Sequence, residues 1–174
     1  LDKALQRVLS VAGTTPVIAS GGIATGKDIK KYLAAGAAGV VMGTRFVATQ
    51  ESMAHQIYKE SLIRATSDDT VFTVCLTSGW SNATHRIIRN KTFEMWESAG
   101  CPVAGKRPGE KDLLATNQET GYKSHRYGLS PPTNKMQGKL DEMALYAGFG
   151  VDHIKDIPTT LDLIKRIWQE YLHA

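Results

Sequence analysis

The chain has 174 residues, 42% hydrophobic and 22% charged, with 21 Lys and Arg against 17 Asp and Glu. These values fit a globular protein with an ordinary core and exclude a disordered or low-complexity chain. The charge of +4 is scattered, with only small clusters such as Lys30-Lys31 and Lys106-Arg107 and no aromatic-basic platform, so nucleic acid is not an expected partner.

Leu5, Val8, Leu9 and Ala12 recur at helical spacing and predict an opening helix ended by Gly13. The chain starts at Leu1 without Met or the form of a signal peptide, so the expectation is a segment from inside a longer protein. Val17 to Ala19 is a short apolar run of the kind buried in a parallel sheet, and Val40 to Met42 is its counterpart. Between them Ile29, Tyr32 and Leu33 predict one amphipathic helix from about Gly26 to Ala35, stopped by Gly36. Both strands end in glycine beside a hydroxyl: Ser20-Gly21-Gly22 and Gly43-Thr44.

Further helices are expected over Ser52–Ala65 and Lys91–Ala99, with Phe93 and Trp96 inward, and over Glu110–Thr116. A third strand is expected over Thr70–Leu76. Glycine, proline and polar residues dominate from Thr77 to about Leu140, the character of a lid or insertion. Asp141–Ala147 reads as helical and Gly148-Phe149-Gly150 as its break. A last helix starts after Pro158 with Thr159 or Thr160 as cap and turns Leu161, Ile164, Trp168 and Tyr171 inward. The expected division is 1–76, a loop-rich and mostly helical insertion at 77–140, and packing helices at 141–174.

No apolar run is long enough to span a membrane, and Cys75 and Cys101 lie too far apart for a metal-ligand pattern, so two free thiols of a cytoplasmic protein are expected. The five histidines, His55, His85, His125, His153 and His173, show neither metal-ligand spacing nor a neighbouring nucleophile motif. Ser78-Gly79-Trp80-Ser81 lacks the form of a hydrolase nucleophile elbow. The chemistry therefore concentrates on the two glycine turns. Glycine lets backbone N–H groups approach a phosphate closely, Ser20 and Thr44 add hydroxyls, and the helix after Ile23 is expected to add the N–H groups of its first turn. Two successive strands ending this way match the phosphate site after the last strands of a (β/α)8 barrel.

Pro16–Ile23, Gly26, Ala34–Ala37 and Gly39–Phe46 resemble the FMN-phosphate segment of flavin-dependent barrel enzymes, a pattern whose first part IMP dehydrogenase and the 2-hydroxy-acid oxidases share. Met42-Gly-Thr-Arg-Phe46 followed by Ala48–Ser52 is narrower. It resembles the nitronate monooxygenases, formerly called 2-nitropropane dioxygenases, and their flavin-type enoyl-ACP reductase relatives. Arg89-Asn90, Phe93–Trp96 and Tyr146-Ala-Gly148 extend the likeness, although Phe149 stands where that family commonly has Gln.

The resemblance implies an α/β fold, the carboxyl-terminal portion of a TIM barrel with an insertion, and FMN as cofactor. Ser20, Gly21, Gly22, Gly43 and Thr44 would hold its phosphate, with Met42 beneath the cofactor edge. It implies a nitronate and oxygen as partners, with carbonyl compound and nitrite as products. It places the family's catalytic histidine upstream of Leu1, so no catalytic residue is named in this chain and a missing amino-terminal half or a homo-oligomer stays open. Three other readings remain: an NAD(P)H-dependent enoyl-ACP or quinone reductase, a flavin-free barrel with a substrate phosphate in the cradle, and an inactive fragment or binding piece. Tyr122, Tyr127, Tyr146, Lys123 and Lys135 are either substrate-side residues or a packed insertion.

Overall fold

A computed structural model describes residues 1–77, 80 and 82–174; Ser78, Gly79 and Ser81, three of the four residues weighed for a nucleophile elbow, lie outside it. The fold is mixed α/β. Helix α1 (Asp2–Ala12) ends at Gly13, whose φ of 57° lets the chain turn where a Cβ is disfavoured. Strands β1 (Ile18–Ser20) and β2 (Gly39–Val41) pair in parallel, with Ile18 opposite Gly39 and Ser20 opposite Val41. Helix α2 (Gly26–Ala34) connects them, and Leu5, Ala19, Ile23, Tyr32 and Ala37 form the core between helices and strands.

Helix α2 starts with a reciprocal cap: Asp28 N donates to Thr25 Oγ1, while Thr25 N and Ala24 N donate to Asp28 Oδ2. The final helix, α6 (Thr160–His173), is capped by Thr159 and lies directly on α2. Contact occurs at Gly26, where a Cβ would fall 2.2 Å from Ile167 O and 2.3 Å from Tyr171 N. Gly26 N donates to Glu170 Oε2 at 2.8 Å across the same contact.

This close approach fixes the rotation of α6 and overturns its expected inward face. Leu163 and Ile167 are buried, whereas Leu161, Ile164 and Trp168 are 60%, 50% and 56% exposed. Two apolar ribbons run along α6, and the backbone contact selects the other one.

Short helix α3 (Thr44–Val47) follows β2, and α4 (Gln56–Arg64) follows a turn. The expected helix over Ser52–Ala65 is therefore shorter, because residues 52–55 are extended and Ala54 bridges Thr133. Tyr58 and Leu62 of α4 bury against Leu145, Ala147, Val151 and Ile154. Strand β3 (Thr70–Thr73) pairs antiparallel with β4 (His85–Ile88), and α5 (Lys91–Ser98) follows under the cap of Asn90.

The segment expected to be mostly helical holds α5 and a three-stranded antiparallel sheet of β5 (Leu113–Asn117), β6 (Lys123–His125) and β7 (Met136–Gly138), with β5 central. The helix expected over Glu110–Thr116 is this central strand. Glu110 is drawn off by Arg107 Nε at 2.8 Å, while Leu114 and Ala115 bury against Met136, Leu140 and Met143. Likewise, Asp141–Ala147 is not a helix. A single 3-10 turn, Leu140–Glu142, gives way to chain that docks beside β4 through Ile88 N to Leu145 O and Ala147 N to Arg86 O. Gly148 then leads into a second 3-10 turn, Phe149–His153.

Beneath the sheet Arg126 Nη1 lies 2.6 Å from Glu142 Oε2 and donates to Thr92 Oγ1 at 2.9 Å. This buried pair ties β6 to α5 and the 140s segment. Among the described residues no helix is long and apolar enough to cross a membrane, and both thiols are free.

Candidate functional site

The carboxyl ends of β1 and β2 open into one cavity of about 170 Å³. Ser20, Gly21 and Gly22 line one side; Gly43, Thr44 and Arg45 line the other. The volume is well above the roughly 15 Å³ that a single water needs. Gly21 and Gly22 have φ of 104° and 73°, a region that L side chains rarely adopt, so the turn requires glycine. Gly43 differs: its φ is −94°, and a Cβ there would meet nothing within 4 Å. Its lack of a side chain leaves space.

Among the described residues the N–H groups of Gly22, Gly43 and Thr44 donate to no backbone carbonyl outside the strand ladder, and no carboxylate lines the cavity. Such exposed, convergent donors suit an anion. Thr44 Oγ1 accepts from Gly148 N at 3.1 Å, which leaves the hydroxyl hydrogen to donate.

Arg45 is 3% exposed, and its charge is already paired. Nη2 donates to Asp156 Oδ1 at 2.8 Å and Nη1 to Asp156 O at 3.3 Å, while Arg166 Nη2 holds Asp156 Oδ2 at 2.7 Å. Burial pulls the Arg45 pKa down against the attraction of Asp156; Arg166 first, then Arg45, hold the Asp156 carboxyl below the usual range. The network pins the Gly43-Thr44 turn to the chain leading into α6. Lys59, also buried, anchors the far end of the same stretch by donating to Thr49 O and Gln50 O at 2.6 and 3.2 Å.

The structure adds a third wall that sequence reasoning read only as a helix break. Gly148 and Gly150 close the cavity from above. A Cβ on Gly150 would lie 3.0 Å from Ala24 Cβ and 3.3 Å from the Gly22 carbonyl group, so this segment rides on the first glycine turn. The sequence signal was two glycines one residue apart beside a family motif. Between them the exposed Phe149 ring carries the Arg86 guanidinium 4.0 Å above it.

One expectation is corrected. The first turn of α2 does not serve the cavity: Ala24 N and Thr25 N are taken by Asp28, and Gly26 N by Glu170. These carboxylates satisfy the helix end and make it poor for a second anion. Met42 lies outside the lining of this cavity and packs, partly buried, with Val17 and Val40 against the core of Leu5 and Ala19.

Neither this cavity nor its neighbour has histidine in its lining, and no group of metal-binding side chains occurs among the described residues. His55 caps α4 by accepting from Ile57 N, and His85 sits between Ala83 O and Leu76 N. Of the residues left open, Tyr127 is buried with its hydroxyl on Pro108 O, Lys135 pairs with Glu119 at 2.6 Å, and Tyr122 is exposed. Tyr146 alone among them lines the neighbouring cavity.

Residues 2–170 match the family model described as nitronate monooxygenase. The chain is similar to a nitronate monooxygenase of Pseudomonas aeruginosa, with 29% identity over 96% of this chain and 42% of the relative. It is also similar to a probable nitronate monooxygenase of Bacillus subtilis, with 30% identity over 90% and 40%. Among solved structures, a nitroalkane oxidase from Streptomyces ansochromogenes superposes with a TM-score of 0.71 at 27% identity, covering 100% of this chain and 44% of that one. FabK from Thermotoga maritima superposes at 0.65 and 28% identity, covering 99% and 47%. The chain thus spans less than half the length of these relatives.

Proposed function

The chain belongs to the nitronate monooxygenase family, and from this we propose that it carries the cofactor-phosphate site of an FMN enzyme that oxidises nitronates. The observation that carries the reading is the convergence of the two glycine turns, with uncommitted N–H donors, in one cavity free of carboxylates. The fit to a phosphate is good. Gly22, Gly43 and Thr44 would donate backbone N–H groups and Thr44 its hydroxyl, with Ser20 and Gly21 beside them. FMN held there would supply the redox chemistry for converting a nitronate and oxygen to a carbonyl compound and nitrite. The residues of this chain would bind and orient the cofactor, with Gly148 and Gly150 bordering its phosphate.

In this reading the chain is the carboxyl-terminal part of a (β/α)8 barrel, and residues 77–140 are an insertion on it. The short β1–β2 pair, with Ile18 and Val41 exposed, and the exposed ribbon of α6 support this, since a closed barrel covers such surfaces. The proton-handling residue belongs to the remainder of the barrel. The superposition with FabK favours a second reading, an NAD(P)H-dependent reductase of the same fold.

The test is Gly43→Asp in an enzyme of the family's full length that carries this segment. A carboxylate at Gly43 faces the phosphate, yet the backbone tolerates it because φ is −94° and the site is open. The variant should fold normally and lose FMN; stoichiometric flavin in a folded variant would refute the placement. Oxygen uptake with ethylnitronate and no NADPH supports the oxidase reading, and rapid flavin reduction by NADPH supports the reductase.

A further inference from the structure

Six of the eight arginines face a carboxylate: Arg45, Arg64, Arg89, Arg107, Arg126 and Arg166. Among the described residues Arg7 and Arg86 have no such partner, and Arg7 is exposed on α1. Arg86 is half-buried on β4. A partly desolvated guanidinium without a counter-charge attracts an anion.

Arg86 is held by its faces. Its guanidinium lies 4.0 Å from the centre of the Phe149 ring and 5.8 Å from that of Phe72, its cross-strand neighbour. Nη1 donates to Thr70 Oγ1 at 3.0 Å and to Thr70 O at 3.4 Å, while Nε and Nη2 donate to no protein acceptor among the described residues. Stacking occupies the flat faces of a guanidinium and leaves its edge N–H groups for the oxygens of a carboxylate or phosphate.

The connection to the cradle is short. Ala147 N donates to Arg86 O at 3.1 Å, and the next residue, Gly148, lines the cavity and donates to Thr44 Oγ1. A Cβ on Gly22 would meet Phe149 Cβ at 3.7 Å, so one phenyl ring stands between the guanidinium and the first glycine turn. The arginine in the cavity wall, Arg45, is already committed to Asp156. Salt screens charges over roughly 8 Å at physiological ionic strength, so a cation one ring away still acts on an anion in the cradle.

We propose that Arg86, carried between Phe72 and Phe149, is the cation that favours a phosphate group seated on the glycine turns. The assignment rests on the phosphate reading of the cradle. It makes Phe149 the support of that charge, in the segment that also closes the cavity.

The test uses an enzyme of the family's full length that carries this segment, stripped of flavin and titrated with FMN, riboflavin and inorganic phosphate. Arg86→Met should weaken FMN and inorganic phosphate about tenfold, the fold-change of one hydrogen bond to a charged group, and leave riboflavin unchanged. Arg86→Lys should recover most of that loss. Raising the salt from about 0.05 to about 0.5 M should lower the FMN affinity of the wild type more than that of Arg86→Met.

Wild-type affinities in Arg86→Met, or equal losses for FMN and riboflavin, overturn the proposal; equal losses would make Arg86 a structural residue only. Binding of inorganic phosphate that depends on Arg86, in an enzyme that takes no FMN, supports the proposal and refutes the flavin reading. A preference for FMN over riboflavin that ignores Arg86 does the reverse.

Discussion

Replacing Gly26 by Ala tests the contact that sets helix α6 on the rest of the fold. The added methyl would lie 2.2 Å from Ile167 O, 2.3 Å from Tyr171 N and 2.6 Å from Glu170 Cβ, and two of these three atoms are backbone. No side-chain rotation relieves that, so α6 must move outward as a body. Overpacking of this kind costs about 1–3 kcal/mol. The outward movement also lengthens the bond from Gly26 N to the Glu170 carboxylate, and a hydrogen bond to a charged group contributes about 1.5–3 kcal/mol when fully formed. Glu170 is partly solvated, so the lower part of that range applies, and the combined loss is about 2–4 kcal/mol. With a urea slope of about 2 kcal/mol/M the unfolding midpoint should fall by about 1–2 M at unchanged slope. Gly43→Ala is the control, because its Cβ meets nothing within 4 Å and its φ is negative; its midpoint should stay at the wild-type value. A Gly26→Ala protein with the wild-type midpoint would show that α6 does not sit where the account places it.

Three further outcomes follow from the buried polar groups. Burial lowers the His85 pKa below the usual 6.5, so the unfolded chain binds more protons than the folded one just below that pH. Its contribution to stability is complete above pH 6.5 and is lost as pH falls toward the folded pKa; urea midpoints between pH 7.5 and 5 should drop more steeply in the wild type than in His85→Gln. Arg126→Met leaves the buried Glu142 with only the exposed Lys91 Nζ, 3.5 Å away, and should cost about 3 kcal/mol, whereas Arg126→Met with Glu142→Leu should recover most of that in the same denaturation assay. A thiol reagent should modify exposed Cys101 in the native chain but reach Cys75 only on unfolding, since Cys75 is buried and its pKa is pushed up to about 12.

Local signals carried the first part of the fold. Gly13 and Gly36 end their helices by chemistry that acts within a few residues, and the apolar runs between them are too short for anything but strands. From Glu110 onward the deciding contacts are distant. Leu113–Asn117 carries no alternation that marks a central strand; it becomes one because β6 and β7 return to both its edges. The face of α6 was illegible for a similar reason, since two ribbons have helical spacing and Gly26, over a hundred positions earlier, chooses between them.

The candidate site divides the same way. Ser20, Gly21, Gly22, Gly43 and Thr44 follow from strand ends that any reader can see, and they do line one cavity. Gly148 and Gly150 arrive from the far end of the chain, and nothing local shows them meeting Gly22. Met42 shares the motif but not the cavity, because its position after β2 turns it into the core.

The central claim is that this chain grips a phosphate at its paired glycine turns. Titration of the chain with FMN and with riboflavin, followed by flavin fluorescence, isolates that group, because the two ligands differ only in the phosphate. Two charge-assisted hydrogen bonds of about 1.5 kcal/mol each give about 3 kcal/mol, so FMN should bind about 100-fold more tightly than riboflavin. That preference should vanish in Gly43→Asp. Equal affinity for FMN and riboflavin, or a preference for FMN that survives in folded Gly43→Asp, would contradict the account.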